Sequence, residues 1–219
     1  MKKEIRSRCG SIMTAVAGVL FILSCSVVLV LNLRQIYDHD VHALDLAGQV
    51  NLTGEQIREN YDALIDYNLF WKGVEVLEFP DFPMSEHGRI HFEEVKRIFV
   101  GIQYLMIVSF CLLIPGLWSK IRKEDYACLR WTAILTLAIP AVLGAAVAVN
   151  WEWFFVAFHR LAFSNDYWLF DPAADPVILI LPDEFFLHCA AGILLCAVLG
   201  SAAAGITWCV LERRKRKAR

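Results

Sequence analysis

Imidazole takes and returns a proton near neutral pH, and this 219-residue chain carries six of them: His39, His42, His87, His91, His159 and His188. Spacing singles out two. His91 lies seven residues before Ile98, where one uncharged stretch begins, and His159 lies eight residues after Trp151, where another ends. If helices continue past both stretches at ~1.5 Å per residue, each ring stands about 10 to 12 Å beyond its apolar limit, so the two share one level. Glu93, Glu94, Lys96, Asn165 and Glu184 flank them, together with a run of aromatics. Two imidazoles just above lipid, at the depth of acyl ester groups, can do general acid and base chemistry on an ester. The alternatives are amphipathic interfacial anchors or a metal site. His87 and His91 are spaced i, i+4, which suits zinc on a helix, but Gly88 and the turn-like Ser85-Glu86-His87-Gly88 argue against a helix there. No metal and no cofactor is expected.

The elements that must position these residues are set by composition. The chain is 58% hydrophobic and 20% charged, with a mean hydropathy of +0.49, more apolar surface than a soluble domain of this length can hide. Residues 9–33, 98–119, 131–151 and 185–211 carry no Asp, Glu, Lys or Arg. Each is long enough to cross a ~30 Å hydrocarbon layer as a helix. The expectation is an all-α integral membrane protein, a four-transmembrane-helix bundle with a small extracytoplasmic α+β cap. Residues 1–33 supply the N-terminus and first span, 34–97 the cap, 98–119 the second span and 120–130 a cytoplasmic loop. Residues 131–151 are the third span, 152–184 an interfacial or extracytoplasmic segment, and 185–219 the fourth span with a basic tail.

Charge orients the molecule. With four spans, the side holding Lys2, Lys3, Arg6, Arg8, Lys120, Arg122, Lys123, Arg130 and the tail carries 14 basic residues against 7 on the other. Short Lys/Arg-rich segments stay in the cytoplasm, so both termini are expected there and the histidine pair outside. Residues 9–33 are too long an apolar core for a cleaved signal peptide, and no small-residue cleavage pattern follows them before Arg34. Cys9 and Cys128 fall on the cytoplasmic side and Cys25, Cys111, Cys189, Cys196 and Cys209 in spans, so an exported disulfide framework and an outer cysteine nucleophile are excluded.

Within the cap, Thr53 and Gln56 form a capping box ahead of Ile57, Tyr61, Leu64 and Leu69 at helical spacing, which predicts a helix over 54–69. Phe79-Pro80-Asp81-Phe82-Pro83 reads as extended or turning, and 74–79 with 89–92 as a short hairpin. The apolar run 176–182 is too short to cross and reads as a buried strand or a dipping loop. The run Gly200-Ser201-Ala202-Ala203-Ala204-Gly205 suits close helix packing. No nucleotide-binding glycine loop occurs, and no nucleic-acid partner is expected.

The stretches Met84–Lys96, Phe158-His159 through Asn165-Asp166-Tyr167-Trp168, Asp171-Pro172, Asp175-Pro176-Val177-Ile178 and Leu181–Phe186 resemble the lipoprotein intramolecular transacylase family of Gram-positive bacteria, with four spans in matching order. The resemblance implies that the sn-2 acyl chain of a diacylglyceryl-modified cysteine moves to that cysteine's own α-amine, giving an N-acyl lyso-form lipoprotein. Diacylglyceryl-modified lipoproteins and membrane lipid would be the partners, and the chain is expected to act as a monomer. His91 and His159 are then the expected acid/base pair, in an undecided order. Lys96, Asn165 or a backbone amide near Gly88 would meet the oxyanion, though Lys96 also reads as an interfacial cation. Glu184 would orient a histidine or serve its helix dipole. Phe163, Tyr167 and Trp168 would contact acyl chains or simply pack. Two other readings stay open: a serine acyltransferase or lipase using Ser85 or Ser164, and a non-enzymatic scaffold whose acidic cap binds a partner.

Overall fold

The computed structural model describes the backbone of residues 2–218 and the side chains of residues 9–218. The side chains of Lys2, Lys3, Arg6 and Arg8, and residue Arg219, which entered the charge map, lie outside the described residues. Among the described residues the regular structure is helical, with no strand. In chain order the helices are α1 (Lys2–Asn32), α2 (Arg34–Ala43), α3 (Leu46–Val50), α4 (Gly54–Asn68), α5 (Glu86–Arg122), α6 (Ala127–Val149), α7 (Trp151–Ala162) and α8 (Asp183–Lys217), with short 3₁₀ turns at Phe70–Lys72 and Pro176–Ile180. Four helical stretches are long and apolar enough to cross a membrane: Cys9–Asn32, Glu86–Arg122, Ala127–Val149 and Asp183–Lys217.

The chain divides into two compact units. One comprises Met1–Val27, Ile102–Ala145 and Gly192–Arg219. Here small residues and hydroxyls set the packing, as expected where lipid offers no hydrophobic drive. A Cβ on Gly18 would lie 2.7 Å from the Thr132 hydroxyl and one on Gly116 2.6 Å from that of Thr14, while one on Gly200 would run into Ile22. Thr132 Oγ1 donates to the Ala15 carbonyl at 3.3 Å and Ser201 Oγ to that of Ala133 at 2.7 Å. Asp125 accepts from Ser11 and Lys120, both at 2.9 Å.

The other unit comprises Val28–Gly101 and Ala146–Ala191. Its core gathers Tyr37, Leu46, Ile57, Tyr61, Leu64, Val177, Ile180 and Phe185. Tyr37 stacks on Tyr61 at 3.7 Å, Phe185 meets both rings edge-on, and Tyr37 donates to the Ile180 carbonyl at 2.9 Å. The α4 helix starts as its sequence predicts: Thr53 Oγ1 accepts from Gln56 N–H at 3.2 Å, and Gln56 Oε1 accepts from Thr53 N–H at 3.1 Å.

Three expectations change. The cap is not α+β: residues 74–79 are irregular and 89–92 lie in α5, so there is no hairpin. Ser85 ends the irregular stretch as a helix cap, its Oγ accepting from Gly88 N–H at 3.0 Å, and the Gly88 turn signal gives way to that cap. The 176–182 run is not a strand; Pro176 opens a 3₁₀ turn that buries Val177 and Ile180. The third apolar helix does not continue outward. Asn150, with extended φ/ψ of −161° and 102°, separates α6 from α7 and caps the latter, its side chain accepting from Trp153 N–H at 2.8 Å.

Candidate active site

The site lies within the second unit and is built by two helix ends and one loop. On α5, two turns after the Ser85 cap, Phe92 turns into the core and His91 sits beside it, 5% exposed. Asp175, itself buried, accepts from Ser85 N–H at 2.7 Å and from Ser85 Oγ at 2.6 Å, fixing where α5 begins. Gly88 lets the helix lie against this carboxylate, because any Cβ there would collide with Asp175. On α7, His159 occupies the last turn, and Phe163 follows as the buried C-cap residue.

The two imidazoles face each other with centroids 6.3 Å apart and planes inclined by 30°. Phe163 bridges them, 4.7 Å from His91 and 5.7 Å from His159. Phe170 packs on His91 at 5.3 Å, while Phe155 and Trp168 pack on His159 at 4.1 and 4.8 Å. Their nitrogens are held differently. His159 Nδ1 lies 2.7 Å from the Phe155 carbonyl. A carbonyl only accepts, so Nδ1 carries the proton and Nε2 is left as the basic atom of the neutral ring. His91 Nδ1 is buried with no hydrogen-bond partner, and so is Trp168 Nε1.

Burial favours the neutral ring at both positions. It pushes His91 down to about 4, helped by the nearby His159. His159 is also lowered by burial, against opposing contributions from the Phe155 carbonyl and the Asp183 carboxylate. Asp183 is in turn raised, by burial first and then by Glu184 and Glu152, while His159 acts in the other direction. The carboxylate whose charge bears on His159 is Asp183, one position before the expected Glu184; both are exposed in the first turn of α8.

Two expected oxyanion donors are committed elsewhere. Lys96 Nζ donates to the Val74 carbonyl at 2.5 Å and lies 4.0 Å above the Tyr67 ring, pinning the irregular 74–79 stretch. Asn165 donates through Nδ2 to both oxygens of Glu94, at 3.0 and 3.1 Å, and accepts from Tyr167 N–H at 3.0 Å, which ties the loop after α7 to α5. Tyr167 stacks on His87 at 4.1 Å, away from the pair, so only Phe163 and Trp168 of the three aromatics line it. His87 and His91 do share a helix, contrary to the turn reading, yet no group of three or more metal-ligating side chains occurs among the described residues. Beside Phe163 opens a cavity of about 470 Å³ lined by Glu94, Arg97, Ile98, Arg160, Leu161 and Ser164.

Sequence reasoning missed a second histidine pairing. His188 Nδ1 lies 2.9 Å from both oxygens of Asp40, a carboxylate that is 0% exposed. Asp40 sits early in the cap, where no motif marks it; its place between Tyr37 and Val41 on a helix would have been the only hint.

Comparison with known proteins identifies the family. The family model described as lipoprotein intramolecular transacylase Lit matches residues 12–186. The structure of the membrane integral lipoprotein intramolecular transacylase Lit from Bacillus cereus superposes with a TM-score of 0.95 at 34% identity, covering 98% of this chain and 99% of that one. Two structures of that protein with a single histidine replaced, by arginine or by alanine, give 0.89 at 33% and 0.88 at 34%. They cover 99% and 98% of this chain, and 96% and 97% of theirs. A search of curated proteins finds no match. With the family model covering most of its length and a relative matched along nearly all of it, this chain is a member of the lipoprotein intramolecular transacylase family, a multi-pass membrane acyltransferase.

Proposed function

We propose that the chain moves the sn-2 acyl chain of a diacylglyceryl-cysteine lipoprotein to the cysteine α-amine, by proton transfer through His91 and His159 and without an acyl-enzyme. The observation that carries this reading is the pair of facing imidazoles 6.3 Å apart among packed aromatic rings. Amine and ester already belong to one molecule, so holding them together supplies an effective molarity of ~10⁵ M or more. What remains is to move a proton. The α-amine, with an ordinary pKa near ~7.7 to 8.0, must give one up to attack, and the departing glyceryl oxygen must gain one.

His159 suits proton removal from the nitrogen. Its Nε2 is the free basic atom, and the imidazolium it becomes is supported by the Phe155 carbonyl and the negative charge of Asp183. His91 stays neutral above about pH 5, since burial holds it near 4, and it lies where it can hydrogen-bond the reacting ester or the glyceryl oxygen. The proton of the ammonium form is released to water before attack; the proton that the nitrogen then loses as it becomes an amide passes through His159 to the glyceryl oxygen, so His159 is regenerated at each turnover. The serine alternative has less support: Ser85 Oγ donates to Asp175 rather than to a histidine, which leaves it unactivated.

We place the active site and the two longer segments between spans, 34–97 and 152–184, outside the cell and both termini in the cytoplasm, on the distribution of Lys and Arg. The deciding experiment follows a synthetic diacylglyceryl-cysteine lipopeptide by mass spectrometry with purified protein. His159→Ala and His91→Ala are each expected to lower turnover by at least ~10²-fold, the usual worth of one positioned proton transfer. A His159→Ala protein of wild-type activity would refute this reading.

A further inference from the structure

An acyl transfer needs a donor for the oxygen that becomes negative as the amine adds, and the side chains expected to serve are already engaged with other protein groups. Lys96 donates to Val74 and Asn165 to Glu94. His159 Nδ1–H is spent on Phe155. Of the rings packed on the two imidazoles, the others besides the histidines themselves are phenylalanines, and only Trp168 carries an N–H. Its ring lies 4.8 Å from His159, it is 9% exposed, and its Nε1–H has no acceptor. Indole is a donor only, so a buried indole N–H without a partner is a group that native structures rarely leave unexplained.

Its position is also fixed in advance. Asn165 grips Glu94 with its amide and Tyr167 N–H with its carbonyl, and Leu169 N–H donates to the Asp166 carbonyl at 3.0 Å. The Asn165-Asp166-Tyr167-Trp168 turn is thereby anchored to α5, the helix that bears His91. A buried donor held in place in advance needs little reorganisation as charge develops, which is where such donors act most strongly.

We propose that Trp168 is a catalytic residue whose indole Nε1–H donates to the acyl carbonyl oxygen of the substrate and stabilises the oxyanion during transfer. This rests on the proposed histidine chemistry. The amine nitrogen forms a bond to the ester carbon and the carbonyl electron pair moves onto the oxygen held by the indole. When that pair returns, the bond from carbon to glyceryl oxygen breaks, and the proton lost by the amine goes to that oxygen.

The test compares full-length wild-type protein with Trp168→Phe and with a chain carrying β-(3-benzothienyl)alanine at 168, which keeps the shape of indole but replaces N–H by sulfur. Turnover of the lipopeptide is followed by mass spectrometry, and folding by thermal unfolding in the same detergent. The benzothienyl protein is expected to unfold as wild type does and to keep its KM. Its kcat should fall ~10²- to 10³-fold, the usual loss on removing one oxyanion donor, with an unchanged pH profile. Trp168→Phe should lose at least as much. A benzothienyl protein with wild-type kcat overturns the proposal even if Trp168→Phe is inactive, because packing alone then explains the residue. A His159→Ala protein that stays active would overturn the histidine reading instead, whatever happens at 168.

Discussion

At the residue scale, burial decides what each histidine can do. His91 sits among Phe92, Phe163 and Phe170, and the neutral ring is favoured there strongly enough to bring it to about 4. Its folded pKa lies below its unfolded value near ~6.5, so the unfolded chain binds more protons between those pH values. The corresponding stability is complete above about pH 6.5 and is lost as pH falls toward 4. Thermal unfolding in detergent should therefore show a midpoint that drops between pH 6.5 and 4.5 in the wild type and drops less in His91→Gln. Equal slopes would contradict the burial argument. Asp40 and His188 make a different case: a carboxylate with no exposure leans on a ring whose side chain is 47% exposed. His188→Ala should destabilise by roughly 1 to 3 kcal/mol by leaving Asp40 buried without that bond, and Asp40→Asn by less, as read from denaturation midpoints. Residue types and spacing pointed to His91 and His159, which the fold brings within 6.3 Å, although one premise failed: α6 does not run on to His159, which the separate helix α7 carries instead. The partners of Lys96 and Asn165 are set by loop paths in three dimensions, so their roles were not legible.

The elements show where local sequence chemistry speaks clearly and where it is outvoted. The α4 start was legible because a capping box is completed within four residues. Ser85-Glu86-His87-Gly88 carries equal signals for a turn and for a helix start, and the choice is made by Asp175, ninety residues away, which holds Ser85 in its capping position. Gly88→Ala tests this directly. Helix propensity alone predicts a gain of about 1 kcal/mol. The collision with Asp175 should outweigh it, giving a net loss of about 1 to 3 kcal/mol in unfolding experiments, with reduced turnover as His91 shifts. A stabilised Gly88→Ala protein would mean that Asp175 yields. The break at Asn150 was hidden for the opposite reason: the uncharged stretch runs through Asn150 to Trp151 and aromatics resume after Glu152, with no Pro or Gly to mark a helix end. The break makes α7 a separate helix with Trp153, Phe158 and Leu161 exposed, the last at 88%, a face suited to lipid.

For the whole molecule, the apolar stretches and the distribution of Lys and Arg made a multi-pass protein legible from composition alone, since a backbone in lipid has so few options. The β part of the cap was misread because short runs bounded by Pro and Gly resemble strands, while tertiary contacts pack these residues as irregular chain and 3₁₀ turns. Orientation is open to a direct check. In a chain whose native cysteines are replaced by alanine, Val76→Cys, at an exposed site, should react with a membrane-impermeant maleimide on whole cells, and Glu212→Cys only after permeabilisation. The reverse pattern would invert the topology and put the histidines on the wrong side for exported lipoproteins. The most direct test of the account is mass spectrometry of a reporter lipoprotein in a host lacking other N-acylation, with the wild-type chain or with His159→Ala. The account expects an acylated amine and a single glyceryl ester with the wild type, and a free amine with both esters retained with the variant. A wild-type chain that leaves the amine free, or a His159→Ala chain that still converts it, would contradict it.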